Sequence, residues 1–75
     1  MTKRDRDILN YIKEYMIENG TTPTVREIGE GVCLYSTNAV YSHMQNLIKC
    51  GEIIQTKEKR YGYKVKGMKY VREDT

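Results

Sequence analysis

Hydrophobic positions in the first part of the chain recur at helical spacing. Between residues 2 and 19 they form one stripe with a period near 3.6 residues, made of Ile8, Leu9, Ile12, Tyr15 and Met16. Thr2 with Asp5 three positions later has the pattern of a capping box, and Gly20 suits the end of a helix. The pattern therefore predicts a first helix over residues 2–19.

A second, shorter helix is predicted over residues 25–32. Thr24 and Glu27 form a clear capping box before it, and its expected inward positions are Val25, Ile28 and Val32. Gly29 and Gly31 each weaken such a helix by about 1 kcal/mol relative to alanine. The helix therefore needs packing against its neighbours, and glycine allows those neighbours to come close.

The third helix is predicted over residues 37–50, after a brief turn at residues 33–35. Ser36 is its expected cap, and Gly51 is placed to end it. Its inward stripe consists of Val40, Met44, Leu47 and Ile48.

After Gly51 the hydrophobic period changes from helical to alternating. Residues 53–56 and 61–66 read as two strands joined by the charged turn 57–60, which together predict a β-hairpin. The order of three helices and a hairpin predicts a mainly α (α+β) fold, a three-helix winged helix-turn-helix with a two-stranded β-hairpin wing. We expect one domain over residues 1–66 and a flexible tail, basic and then acidic, over residues 67–75.

The charge of the chain is concentrated near its end. The 75 residues carry a formal net charge of +3, with 31% charged and 39% hydrophobic residues, which suits a globular domain. Residues 49–72 hold eight basic and two acidic side chains, a net +6, and three tyrosines lie among them. Such a segment indicates contact with a polyanion. No apolar run is long enough for a membrane span or a signal segment, so we expect a cytoplasmic location and no membrane partner.

Few residues offer catalytic or metal-binding chemistry. Cys33 and Cys50 fit no zinc or redox spacing, and we expect both to be reduced thiols packed as small apolar residues. His43 is the single histidine and flanks the inward stripe of the third helix, where a packed or surface role is expected. We therefore predict no metal, no cofactor and no enzymatic activity.

The outward face of the third helix is polar but almost uncharged. It carries Asn38, Ser42, Gln45, Asn46 and Lys49, flanked by Ala39 and Tyr41. Asn and Gln can pair with adenine, Ser can donate or accept, and Ala or an aromatic edge can meet the thymine methyl group. A surface helix of no particular function, with Tyr41 packed against the second helix, is the alternative interpretation.

Three stretches of the chain resemble the N-terminal DNA-binding domain of the LexA repressor family. They are TPTVREIG at 22–29, STNAVYSHMQNLIKCGEI at 36–53 and RYGYKV at 60–65. The Ser-x-Asn-Ala element, here Ser36, Asn38 and Ala39, is characteristic of that family, and the resemblance implies base contacts for these three residues. The resemblance implies two departures. Tyr41 and Ser42 stand where the enterobacterial-type pattern of the family has a pair of glutamates. The 75 residues are also too few to include the family's self-cleaving, dimerising C-terminal domain, so we expect either an excised domain or a small stand-alone protein.

These observations predict sequence-specific binding of double-stranded DNA by a LexA-like transcriptional repressor or regulator domain. The expected base-contacting residues are Ser36, Asn38, Ala39, Tyr41, Ser42 and Gln45. The expected phosphate and wing contacts are Thr24, Arg26, Lys49, Lys57, Lys59, Arg60 and Lys64. The operator is expected to be palindromic, with a monomer in free solution and two copies on DNA. The alternative is a winged helix that binds another protein, although the basic hairpin argues against it.

Overall fold

The computed structural model describes residues 1–55 and 63–67, and it confirms the predicted fold class. In chain order the elements are α1 (Lys3–Asn19), α2 (Val25–Gly31), α3 (Thr37–Lys49), β1 (Ile53–Gln55) and β2 (Tyr63–Val65). α2 and α3 each end one residue before the predicted position. The predicted turn 57–60 and nearly all of the predicted tail lie outside the described residues.

Reciprocal hydrogen bonds cap the N-termini of α1 and α2. At the start of α1, the Asp5 amide donates to Thr2 Oγ1 (3.1 Å) and the Thr2 amide donates to Asp5 Oδ2 (3.0 Å). At the start of α2, the Glu27 amide donates to Thr24 Oγ1 (3.1 Å) and the Thr24 amide donates to Glu27 Oε1 (2.8 Å). Both predicted capping boxes are therefore confirmed, and each satisfies two backbone groups that a helix start leaves open.

One hydrophobic core joins all five elements. Its buried members are Ile8, Leu9, Ile12, Met16, Ile28, Val40, Met44, Leu47, Ile53 and Val65. The stripes predicted for α1 and α3 supply most of this set, while Tyr15, Val25, Val32 and Ile48 are only half-buried.

Two polar contacts fix α1 against α2. Arg4 Nη1 donates to the Val32 carbonyl at the end of α2 (2.9 Å). Tyr15 Oη donates to Glu27 Oε2 near the start of α2 (3.3 Å). The end of α2 therefore lies beside the start of α1, and the short helix is held at both ends.

β1 and β2 form an antiparallel hairpin that covers one side of the core. Ile53 pairs with Val65 in the register, and both side chains are buried. Tyr63 Oη donates to the Pro23 carbonyl in the connector between α1 and α2 (3.0 Å). The hairpin is thereby attached to α3 through its apolar face and to the start of α2 through Tyr63.

The prediction that both cysteines pack as apolar residues is wrong. Cys33 and Cys50 are free thiols, as expected, but both are exposed. Cys33 occupies the turn after α2 with a φ of 61°, and Cys50 follows the last turn of α3. Both positions lie at helix ends on the surface, so neither thiol belongs to the core.

Within the described residues, none of the helices combines the length and the apolar character that crossing a membrane requires.

Candidate nucleic-acid interface

The turn between α2 and α3 is shaped by close backbone packing. The Leu34 amide donates to the Gly29 carbonyl (2.8 Å), so the chain folds back onto α2. A Cβ atom at Gly29 would lie 2.5 Å from the Leu34 carbonyl oxygen, which is closer than real contacts allow. Glycine at this position therefore sets how closely the start of α3 approaches α2.

The two sides of α3 differ sharply in exposure. Val40, Met44 and Leu47 are buried on the inner side. The outer side presents Asn38, Tyr41, Ser42, Gln45 and Lys49, all exposed. The helix contains no Asp or Glu, so no carboxylate on α3 itself would repel a phosphate backbone.

Two of the other predicted base-contacting residues lie at the edge of this face. Ser36 is the N-cap of α3 and accepts the Ala39 amide through its hydroxyl oxygen (3.3 Å), while the side chain remains exposed. A hydroxyl that accepts one bond still has its own hydrogen to donate. Ala39 is half-buried, so only part of its methyl surface faces outward.

Four of the seven predicted phosphate-contacting residues lie in the described part of the chain, and they differ in exposure. Arg26 is 86% exposed and has only a long contact with Glu30, 4.0 Å from Nε to Oε2. Such an exposed pair contributes little, so the guanidinium can turn to another anion. Thr24 and Lys49 are also exposed, whereas Lys64 is half-buried on β2. The remaining predicted wing residues, Lys57, Lys59 and Arg60, lie outside the described residues.

A shallow groove of about 110 Å³ connects the outer side of α3 with the hairpin. Tyr41 and Gln45 line it from α3, and Gln55 and Tyr63 line it from the strands. Tyr41 is 57% exposed, so more than half of the residue is open to solvent rather than packed against α2. The groove makes the helix face and the hairpin one continuous surface.

A family model for the "LexA DNA binding domain" matches residues 1–61 of the chain. The chain belongs to the LexA DNA-binding domain family. The resemblance inferred from the three sequence stretches is thus confirmed, and the matched range includes all of α1, α2, α3 and β1.

Named relatives agree with this assignment. The chain is 45% identical over 53 residues to the LexA repressor of Halalkalibacterium halodurans, and equally so to that of Staphylococcus aureus, covering 71% of the chain and 26% of each relative. It is 43% identical over 47 residues to the LexA repressor of Carboxydothermus hydrogenoformans, covering 63% of the chain and 23% of the relative. The chain therefore spans about a quarter of the length of these LexA repressors.

Sequence reasoning missed Tyr35, which at 81% is the most exposed large hydrophobic side chain in the described residues. It directly precedes the N-cap of α3, beside the helix-turn-helix face of this LexA-family domain. A hydrogen bond with the Cys33 thiol and the proximity of that thiol raise the pKa of Tyr35 above its ordinary value. Its position directly before Ser36, the predicted cap of α3, could have indicated from the sequence that Tyr35 lies beside the proposed DNA-binding face.

Sequence reasoning also missed a contact between α1 and α3. Asp5 Oδ1 lies 2.6 Å from His43 Nδ1, and Asp5 is only 1% exposed. Burial alone would raise the pKa of Asp5, but hydrogen bonds from Thr2 and His43 outweigh it and hold that pKa below its ordinary value. The carboxyl is therefore ionised, and His43 Nδ1 donates to it.

Among the described residues, no three or more His, Cys, Asp and Glu side chains come together in a group that could hold a metal ion.

Proposed function

We propose that this chain binds double-stranded DNA in a sequence-specific way and acts as the DNA-binding part of a LexA-like transcriptional regulator. The observation that carries the proposal is the exposed, polar and carboxylate-free outer side of α3, which begins at the turn of a helix-turn-helix. Recognition helices of this class place their N-terminal residues against base edges in the major groove.

The chemistry of the outer side suits base reading. Asn38 and Gln45 offer the paired donor and acceptor that match adenine N6 and N7, and the Ser42 hydroxyl can donate or accept. Tyr41 offers an aromatic edge to a thymine methyl group. Ser36 and Ala39 complete the predicted base-contacting set at the start of the helix.

Phosphate contacts would fix this helix in register. Thr24, Arg26, Lys49 and Lys64, together with Lys57, Lys59 and Arg60 of the predicted wing, supply hydroxyl donors and positive charge. Such contacts position a protein on DNA without specifying sequence.

Repression of transcription is proposed from the family. The relatives are named as LexA repressors, and a domain that covers an operator can block transcription without any enzymatic activity of its own. We propose a monomer of 8.8 kDa in free solution, because the apolar stripes of α1 and α3 are already used in the core. On DNA we propose two copies on a palindromic operator, with half-sites about 34–36 Å apart on one face of the duplex.

Selection of binding sites from random duplex DNA tests the proposal and reads out the operator. We expect an enriched palindrome. The logarithm of the binding constant for the selected duplex should fall linearly with the logarithm of the salt concentration. The expected slope is about −3 to −4.5, as for roughly 3–5 neutralised phosphates. An unenriched pool together with a flat salt response would contradict DNA binding.

Substitutions on α3 separate base reading from charge. Asn38→Ala should weaken binding to the selected duplex by about 1–3 kcal/mol and change binding to random duplex little. Asn10→Ala, at an exposed position on α1, is the matched control and should leave both affinities unchanged. Equal losses on both duplexes for Asn38→Ala would assign base reading to another surface.

Tyr41 and Ser42, which differ from the glutamates of the enterobacterial-type pattern, should help to set the operator. Replacing both Tyr41 and Ser42 by Glu introduces carboxylates that can accept from cytosine N4, so the selected sequence should change at one or two base pairs. If the selected sequence does not change, Tyr41 and Ser42 do not read bases and serve only in packing.

A further inference from the structure

We propose that Asp5 is a positioning residue for DNA recognition, which holds α3 in its rotational setting through His43. This inference rests on the proposed function, because it concerns how accurately the outer side of α3 is presented to DNA. The carboxylate belongs to α1 and is buried, so it cannot contact DNA itself and acts only through the histidine.

The geometry places one carboxylate between two helices. Asp5 Oδ2 accepts the Thr2 amide at the start of α1 (3.0 Å), while Asp5 Oδ1 accepts from His43 Nδ1 on α3 (2.6 Å). The Asp5 side chain is 2% exposed, and that of His43 is 24% exposed. The capping box therefore fixes the carboxylate on one side, and the second oxygen is left to hold α3.

This contact restrains α3 in a way that its apolar contacts do not. Val40, Met44 and Leu47 pack into the core through non-directional contacts, which tolerate small rotations of the helix. A short bond between an ionised carboxylate and an imidazole N–H is directional and strong. His43 lies one position before Met44, on the flank of the buried stripe, so the bond resists rotation about the helix axis.

The sensitivity of base reading to rotation makes this restraint functional. Side chains extend about 5–6 Å from a helix axis, so a rotation of about 10° moves their tips by ~1 Å. Hydrogen bonds to base edges work only within about 2.7–3.2 Å between heavy atoms. Binding to phosphates by flexible cationic side chains tolerates the same shift. Loss of the restraint should therefore lower specificity more than general affinity for DNA.

The experiment compares two substitutions of His43 in the full chain. His43→Leu removes the donor, whereas the side-chain amide of His43→Asn can place an N–H near the position of Nδ1. The readout is the ratio of affinities for the selected duplex and for random duplex, measured where circular dichroism shows each variant to be folded. We expect the ratio to fall about tenfold or more for His43→Leu, as if one bidentate base contact were lost, and to stay within about threefold for His43→Asn.

Gly20→Ala is the control for a general loss of stability of α1. It introduces a side chain at the left-handed end of the helix, with a φ of 75°, and leaves both the Thr2 cap and the Asp5–His43 contact in place. Gly20→Ala should lower the melting temperature but preserve the affinity ratio. If Gly20→Ala and His43→Leu lower the ratio equally, the contact is only structural and the positioning role is overturned.

Nitrogen NMR of the histidine tests the contact without DNA. At a pH where His43 is neutral, the wild type should carry its proton on Nδ1, and Asp5→Ala should shift it to Nε2. An Nε2–H tautomer in the wild type would overturn the proposal.

The binding data distinguish this inference from the function on which it rests. A wild-type chain with no preferred duplex overturns the proposed function itself. A wild-type chain with a clear preference that survives His43→Leu overturns the positioning role alone.

Discussion

α1 and α2 begin with the same motif and are stabilised in different ways. Each starts with a threonine cap and an acidic residue three positions later, joined by the same pair of reciprocal bonds. α1 then continues for 17 residues with five buried positions, whereas α2 has 7 residues, of which two are buried. Isolated helices shorter than about 12–15 residues are marginal in water, so α2 cannot rely on its own sequence.

The tertiary contacts of α2 compensate for its length. Arg4 holds its end, Tyr15 contacts its first turn, and Gly29 lets the following turn pack directly onto it. The ends of the two helices also differ. α1 ends at Gly20 with a φ of 75°, but after α2 the left-handed position is occupied by Cys33 with a φ of 61°.

The capping box that begins a helix is therefore a local feature of the sequence, whereas the stability of a short helix such as α2 depends on contacts with neighbouring elements. For the proposed DNA surface this matters directly, because α2 and its turn position the start of α3.

The largest effect is expected from Gly29→Ala. The added Cβ would lie 2.5 Å from the Leu34 carbonyl oxygen, and a backbone atom cannot move aside without shifting the start of α3. The gain in helix propensity of about 1 kcal/mol should be outweighed, with a net loss of about 2 kcal/mol in the free energy of unfolding. Urea denaturation measures it. Glu30→Ala, exposed on the same helix, is the control and should change stability by less than about 0.5 kcal/mol.

Acid should act on the capping box of α1 through Asp5. Its pKa lies below the ordinary value of 3.8, so its contribution to stability is complete above that value and is lost as the pH falls through the lowered pKa. We expect Asp5→Asn to be less stable than the wild type at pH 6 and to lose less stability between pH 5 and pH 2. Parallel stability curves for the two proteins would contradict a paired, ionised Asp5.

Removal of the threonine caps should affect both helices alike. Thr2→Ala and Thr24→Ala each delete one hydroxyl acceptor at 3.1 Å from a backbone amide, so each should lower the free energy of unfolding by about 1 kcal/mol. Chemical denaturation of both variants provides the measurement. A much larger loss for Thr24→Ala would mean that the short helix depends on its cap more strongly than the long one does.

The smallest effects are expected at the helix ends, and they should have opposite signs. Gly20→Ala introduces a side chain into the left-handed region and should destabilise by about 1 kcal/mol. Cys33→Gly relieves the same strain and should stabilise by about 0.5 kcal/mol, because the gain is partly offset by the flexibility of glycine in the unfolded chain. Thermal unfolding of the two variants tests the pair. Destabilisation by Cys33→Gly would show that the hydrogen bond between the Cys33 thiol and Tyr35 outweighs the backbone strain at this position.

Much of the fold follows from spacing within a few residues. The caps at Thr2, Thr24 and Ser36 and the end of α1 at Gly20 agree with the sequence patterns. The exposed side of α3 could be predicted as well, because Asn38, Ser42, Gln45 and Lys49 recur at helical spacing opposite the apolar stripe. The cysteines could not be placed in this way, since a thiol suits a core position and a surface position at a helix end equally well.

The sequence by itself determined where each helix begins, which side of each helix is apolar and where the chemistry suited to DNA bases lies. These features depend on hydrogen bonds and side-chain periods that act over about four residues along the chain. Only the tertiary structure decided that His43 bonds to Asp5, 38 positions away, and that Tyr63 bonds to Pro23, 40 positions away. Such pairs form because the packing of the core brings distant segments together, and no local period along the chain records which segments will meet.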